Sequence, residues 1–510
     1  MDKIEKIYNK CLTRQTDSND TINPSMILTY KRSPFNLWCD LYAAKEDRDP
    51  PSESYKILAE IGNIEEKKFI SENYPEMEII PIQTQEEGFL YTLKGCFEGS
   101  LTFSQSPLIY LPEMILGIPD LLIKETTHKS VFGDYHYTIK EKKTVKQIKE
   151  EHILQAALNN YIIGKIQNYT PEKFFLINRI NEETEYFFSE YETKLANTLR
   201  EIKEIINGKK VTPTKSQLSE PWKSFGLKKL KESGDISLIY GIGAEKKQLL
   251  LEKGIATILD LEKSDINLLK IKGIGEKTLN IYKLQAKALL ENKKIILDKP
   301  VFQKAKNEIF LDLEGTFDVP ITYLESMGIK SNTNEEWTNT VYLIGAIIKE
   351  KNSSSKQQFF ASTLKEEKKI VNNFYNYLKT KDDFIIYYYG NYEKSTMKKL
   401  LEKYKLDDFI TPKMVEVSQI LRNSVVFPTH SYSLKEIGKE LGFNWSDPNL
   451  DGFSSIAYYL RFLKNKKGED KKKLEKYNEE DCLALEKIKS YLEEIQQEKK
   501  EVKLTSFIKE

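Results

Sequence analysis

Residues 308–315, EIFLDLEG, carry the reading on which the rest of the chain turns. Alternation along an extended strand puts Ile309, Leu311 and Leu313 on one face and Phe310, Asp312 and Glu314 on the other. Two carboxylates thus share a face two residues apart, where they repel each other unless a cation lies between them. Outward from this stretch, TVYLIGAIIK (340–349), QQFFAST (357–363) and DDFIIYYYG (382–390) are further strand patterns, and helices are expected from near Lys365 and Glu393. Glu393 follows the strand that ends at Gly390, a place where an acid also favours a helix N-terminus through the dipole. The charged segment from Lys471 to Lys499 has helical periodicity, with Leu474, Tyr477, Cys482, Leu485 and Ile488 on its inner face. Within it, Tyr477 and Asp481 stand at i and i+4, one above the other.

With 510 residues the chain exceeds one ordinary core and implies several domains. Apolar residues at 40% and charged residues at 30% describe a globular protein with a solvated surface. No segment approaches the roughly 18 to 20 apolar residues of a membrane span, and MDKIEKIYNK has no apolar signal core, so a cytoplasmic protein without membrane contact is expected. Cys11, Cys39, Cys96 and Cys482 are isolated, which argues against a disulfide framework or a CxxC metal site. A net charge of +1 excludes a globally basic nucleic-acid binder and leaves local strips. One runs from Lys209 to Glu232, seven lysines against two glutamates with Pro213, Pro221, Trp222 and Gly226 among them, as in an inter-domain linker.

Residues 1–205 mix helical patterns (LAEIGNIEEKKFISENY, HILQAALNNYIIGKI) with strand patterns (FLYTLKG, LTFS, PDLLIKE), an α/β or α+β domain. Residues 235–295 hold a short tandem repeat. Gly241-Ile242-Gly243 precedes Lys246 and Lys247, and Gly273-Ile274-Gly275 precedes Lys277. Glycines allow the tight turn, and the helix start that follows offers free N–H groups to an anion. Such a pair either grips phosphates or packs against protein.

The order DLEG, YYGNYE, SYSLKEIGKELGF and YNEEDCLA resembles the DEDD exonuclease pattern of RNase H-like folds, in the variety with a tyrosine in its third motif. Nearly the whole chain resembles RecB-like nucleases that join a RecB-type domain to helix-hairpin-helix motifs and a C-terminal RNase H-like domain, specifically over roughly its last 200 residues and more weakly over roughly its first 200. The resemblance implies an α/β multidomain chain: a RecB-like restriction-endonuclease-type domain over 1–205, a basic linker over 206–234, an all-α helix-hairpin-helix module over 235–295 and an RNase H-like domain over 300–500. It further implies that Asp312, Glu314, Glu393 and Asp481 hold two Mg²⁺ or Mn²⁺ ions roughly 4 Å apart for phosphodiester hydrolysis, with Tyr477 orienting the water. Gly241, Gly243, Lys246, Gly273, Gly275 and Lys277 are then the DNA contacts, made to phosphates without reading sequence. Two departures stand out: Glu393 is found where Asp is commoner, and Tyr389 where an Asn is customary. Lys435 reads as a phosphate contact or as a solvated lysine.

SPFNLWCDLYA (33–43), GIPDLLI (117–123) and EEHILQAALNNYIIG (150–164) resemble the RecB-like PD-(D/E)xK pattern, which implies a second site of Glu66 or Glu65, Asp120, Lys140 and Gln155. Thr138 stands where that pattern has an acid, and Asn159 where it has a tyrosine. A shift to Glu141-x-Lys143 restores the acid but, being odd, turns the side chains to the other face. A degenerate site of little or no activity, with a remaining role in binding or shaping the substrate, is therefore expected. The combined expectation is a 3′ to 5′ DNA exonuclease of repair, recombination or defence. The alternatives are an RNase or structure-selective endonuclease on the same fold, or a catalytically silent adaptor. DNA is favoured over RNA, and with no GxxxxGK[ST] loop in the chain, unwinding falls to a separate helicase or repair complex.

Overall fold

The computed structural model describes residues 3–14, 21–75, 78–79, 84–266, 268–330, 336–351 and 353–497. Contacts divide the chain into two units, residues 1–51 with 58–229, and residues 52–57 with 230–510. No helix among the described residues is long and apolar enough to cross a membrane.

In the first unit, helices α1 (Glu53–Asn73), α2 (Gln85–Glu98), α3 (Glu150–Gln167) and α4 (Phe188–Ile206) accompany a six-stranded sheet. Its strands are β1 (Glu78–Ile79), β2 (Thr102–Ser104), β3 (Leu121–Glu125), β4 (His136–Lys142), β5 (Lys173–Ile177) and β6 (Glu183–Phe187), in spatial order β1-β2-β3-β4-β5-β6. Helix α3 is buried along nearly its whole length, including Leu154, Ala157, Leu158 and Ile162. FLYTLKG, expected as a strand, lies inside α2. The Thr84 side chain caps that helix on the Glu87 N–H, and Gly99 closes it in the left-handed region at φ 76°. Phe89, Thr92, Leu93 and Cys96 are among its buried residues, a helical period that outweighs the apparent alternation.

The expected basic linker is folded. Trp222 is buried against Phe35 and Cys39, its indole N–H donates to Asp40 Oδ1 at 2.8 Å, and helix α5 (Lys223–Ser233) begins directly after it. The lysines are the wet side of a segment whose apolar side is anchored.

In the second unit, α6 (Ala244–Leu251), α7 (Ile258–Lys263) and α8 (Glu276–Glu291) form the repeat, with Gly241 and Gly273 both at φ 90°. They share this unit with a five-stranded sheet of order β9-β8-β7-β10-β11. These strands are β7 (Asn307–Gly315), β8 (Val341–Glu350), β9 (Ser353–Phe360), β10 (Phe384–Tyr388) and β11 (Met414–Glu416). β7 is central, antiparallel to β8 and parallel to β10. Helices α9 (Glu367–Lys379), α10 (Tyr392–Tyr404), α11 (Val417–Ser424), α12 (Leu434–Glu440), α13 (Gly452–Asn465) and α14 (Gly468–Gln497) complete the unit. α14 packs on both β7 and β8, where Cys482, Leu485 and Ile488 cluster with Phe310 and Ile347, while Tyr477 packs against Trp445 and Leu450; these four helix residues and Leu474 are all buried as the periodicity requires. Its far end is tied to the start of β7 by Lys489, 1% exposed, whose Nζ lies 2.5 Å from Glu308 and 2.8 Å from Glu493.

Replacing Trp222 by Ala should cost the first unit about 3 to 5 kcal/mol, the usual range for a buried aromatic. Denaturant titration reads this loss, and trypsin cleavage at Lys215, Lys223 and Lys228 should accelerate. A solvated linker would show neither effect.

Candidate metal centre

Asp312 and Glu314 lie at the C-terminal end of β7, Glu393 in the first turn of α10 just beyond the end of β10, and Asp481 midway along α14. The fold thus brings all four acids expected from the sequence to one end of the sheet. Asp312, Glu314 and Asp481 each offer an oxygen, all within 4.8 Å of one another, a spacing that can hold a metal ion. Glu393 stands outside this set but near enough for its charge to act on Asp312.

Burial is the first cause of every shift here. It raises Glu314 to about 8, Glu393 to about 7 and Asp481 to about 6, and holds Asp312 well above the carboxylate range, with repulsion from Asp481, Glu314 and Glu393 adding to it. Donors hold three of the four groups in place. Asn478 Nδ2 donates to Asp312 Oδ2 at 2.7 Å, the Ser455 hydroxyl to Glu314 Oε2 at 2.7 Å, and the Trp445 indole N–H to Asp481 Oδ1 at 2.7 Å. The Tyr342 hydroxyl reaches Ser455 Oγ at 2.8 Å and Glu314 Oε2 at 3.3 Å. Glu393 differs: its Oε2 is buried and has no hydrogen-bond partner. An anionic oxygen in that state is costly unless a cation meets it. The donor set is all hard oxygen, which suits Mg²⁺ or Mn²⁺.

The Tyr477 hydroxyl bonds to the Asp481 carboxylate, and burial followed by the charge of Asp481 pushes its pKa upward, so it stays protonated. Lys435 Nζ leans over the Tyr477 ring at 5.2 Å and is bonded to the carbonyls of Leu450 and Pro448. It faces Asp481 electrostatically and lowers that acid's pKa. Trp445, Ser455, Tyr342 and Asn478 were not anticipated. Their only local signal is polarity at a buried position, which sequence cannot distinguish from a surface residue.

Residues 324–493 match the RNase H superfamily. The matched region includes Glu393, Tyr477 and Asp481 and begins after β7, which the sheet places at its centre. No curated protein matches the chain. The match supports an RNase H-like C-terminal region of nuclease type acting on nucleic acid.

Of the expected set of Glu66, Asp120, Lys140 and Gln155 in the first unit, Glu66 acts on Asp120 through its charge, whereas Lys140 does not join them. Leu121 pairs with Lys140 across β3 and β4, so Asp120 comes opposite Glu141, and Lys140 and Thr138 point to the other face. There Lys140 pairs with Glu183 at 2.7 Å and the Thr138 hydroxyl donates to the Lys173 carbonyl. Gln155 donates to the Pro24 carbonyl. The residues that do face Asp120 are Glu141, 4% exposed, and Lys143, whose Nζ lies 2.8 Å from Glu141 Oε2. Asn159 Nδ2 donates to Glu141 Oε1 at 2.6 Å, and Glu66 adds its charge from α1. Burial and then Glu141 raise Asp120 well above the usual range, while Glu141 and Asp120 draw Lys143 upward against its own burial. Glu141 and Lys143 thus lie on the face of Asp120, and Lys140, expected as the motif lysine, lies on the opposite face.

The hairpin residues also separate. Lys246 Nζ donates to the Gly241 carbonyl and to the Tyr282 hydroxyl at 2.7 Å, and Lys247 is buried against Asp235. Gly273, Gly275 and Lys277 of the second hairpin are exposed. Gly243 and Gly275 begin α6 and α8 without any side-chain cap, leaving those N–H groups to solvent or a ligand.

The C-terminal carboxylates hold protons to higher pH than in the unfolded chain, which releases them near pH 4. Their contribution to stability is full below that point and is lost as pH rises through about 6 to 8. EDTA-treated protein should therefore show a Tm that falls between pH 5 and pH 8, less steeply in Glu314→Gln. Mn²⁺ added at pH 8 should restore it. A Tm indifferent to Mn²⁺ would mean that these oxygens do not bind a cation.

Proposed function

We propose that the C-terminal centre hydrolyses phosphodiester bonds, acting as a 3′ to 5′ exonuclease on DNA. The observation that carries this reading is the convergence of three carboxylate oxygens within 4.8 Å beside the unpartnered Oε2 of Glu393. Mg²⁺ or Mn²⁺, when bound, activates water and screens the phosphate charge. Asp312, Glu314 and Asp481 would hold the cations, with the free oxygen of Glu393 as a further ligand. The hydroxyl of Tyr477, kept protonated, would orient water while Asp481 anchors it. Trp445 and Lys435 bring donor and charge to Asp481 without adding a ligand. Exposed glycine turns and Lys277 of the second hairpin suit contact with the phosphate backbone, so affinity should fall with salt and not depend on sequence.

A specific observation favours a second cutting centre in the first unit. Asp120, Glu141 and Lys143 share a face, with Glu66 near, and this supplies the acid that the Thr138 reading lacked. Lys143, charged and half-buried beside two acids, suits a role in holding water or phosphate.

The test is hydrolysis of end-labelled single-stranded and duplex DNA and RNA with Mg²⁺ or Mn²⁺. Asp312→Asn and Asp481→Asn should each lower the C-terminal activity beyond the roughly 100-fold that losing a supporting hydrogen bond costs at metal centres. Tyr477→Phe should slow turnover and leave the metal requirement unchanged. Wild-type rates in Asp481→Asn would refute the C-terminal assignment.

Cleavage that persists in Asp312→Asn should disappear on adding Lys143→Ala. A complete loss of product in Asp312→Asn alone would confine cutting to the C-terminal centre and leave the first unit a binding role.

A further inference from the structure

A glycine in the middle of a buried strand weakens it and usually marks a close approach. Gly345 is such a residue, in the run VYLIGAIIKE of β8, directly across the ladder from Asp312. A Cβ at this position would come 1.6 Å from Asn478 Oδ1 and 2.5 Å from its amide carbon. The notch left by the missing side chain is therefore filled by the amide of Asn478, which is 0% exposed.

From that notch Asn478 Nδ2 makes two bonds to a single residue, 2.7 Å to Asp312 Oδ2 and 3.1 Å to the Asp312 carbonyl. Gln358 fixes which end of the amide is which. Its Nε2 donates to the Glu475 carbonyl at 2.6 Å and to Asn478 Oδ1 at 3.3 Å, so the oxygen of Asn478 faces Gln358 and its nitrogen faces Asp312. One turn further along α14, the Cys482 thiol is bonded to the Gly345 carbonyl, seating the helix on the same point of the strand.

We propose that Asn478 is the positioning residue of the C-terminal centre. It commits Oδ2 of Asp312 to the amide so that the other oxygen is presented to the cation, and Gly345 is glycine because only an absent side chain admits that amide. The inference rests on Asp312 being a cation ligand. It goes beyond that reading by assigning roles to two residues that touch neither cation nor substrate.

The experiment is Mn²⁺ binding to full-length protein by calorimetry, with Tm measured alongside, for Asn478→Ala, Gly345→Ala, their double variant, Gln358→Ala and Asp312→Asn. Asn478→Ala should raise the Kd for Mn²⁺ about 10- to 100-fold. Gly345→Ala should weaken binding in the same direction and lower Tm. The double variant should be no worse in Mn²⁺ affinity than Asn478→Ala and should recover Tm relative to Gly345→Ala, because the added methyl then enters an empty notch. Gln358→Ala, a change at a half-buried position that removes one donor to Asn478 Oδ1 and keeps Asn478 and Asp312 themselves, should weaken binding by a smaller factor. It carries the test if the other variants fail to fold.

Wild-type Mn²⁺ affinity in folded Asn478→Ala, or in Gln358→Ala where it is the only folded variant, with affinity lost in Asp312→Asn, overturns the positioning role alone. Unchanged affinity in Asp312→Asn overturns the cation site itself and this inference with it.

Discussion

Four carboxyl groups gathered at one end of a sheet and withdrawn from water are the constraint around which the second unit is organised. Each raises the cost of charging its neighbours, and burial is the first cause at every one of them. The protein answers with neutral donors from separate elements: Asn478 on α14, Ser455 on α13, Trp445 in the segment between α12 and α13. Neutral donors orient an anion without cancelling its charge, so the attraction for a cation is kept. A lysine or arginine in direct contact would have satisfied the same oxygens and removed the reason to bind metal.

The first unit solves its problem differently. There a cation is already present, since Lys143 is within ion-pair distance of Glu141 and its charge offsets that of Asp120. A site of two acids and one lysine needs less from outside to remain charged than a site of four acids. The two clusters therefore differ in how much outside positive charge each needs.

Much of the second unit was legible because its signals are local. EIFLDLEG is a strand in any context that buries both its faces, and the inner face of α14 follows from its period. Asp312, Glu314, Glu393 and Asp481 could be ordered from motif spacing, and the fold gathers them. What was not legible depends on pairing across strands. The assignment of Lys140 failed because counting back from the lysine assumes a register, and only the ladder Leu121 to Lys140 reveals which residues of β4 share a face with Asp120. FLYTLKG failed for a related reason: seven residues cannot separate a period of 2 from one of 3.6 when the cap at Thr84 and the closing turn at Gly99 lie outside the window. Trp222 illustrates the same limit, since its partner Asp40 is far away in sequence.

Helix α14 supplies Tyr477, Asn478 and Asp481 within five consecutive positions, and its other end is pinned by Lys489 to Glu308, where β7 begins. β7 in turn carries Asp312 and Glu314. Helix and strand are thus fastened together at two points, Asn478 to Asp312 and Lys489 to Glu308, like two rails joined by cross-ties, and these contacts hold the Tyr477 hydroxyl in register with the carboxylates. Any twist of the helix about its axis displaces hydroxyl, amide and carboxylate at once.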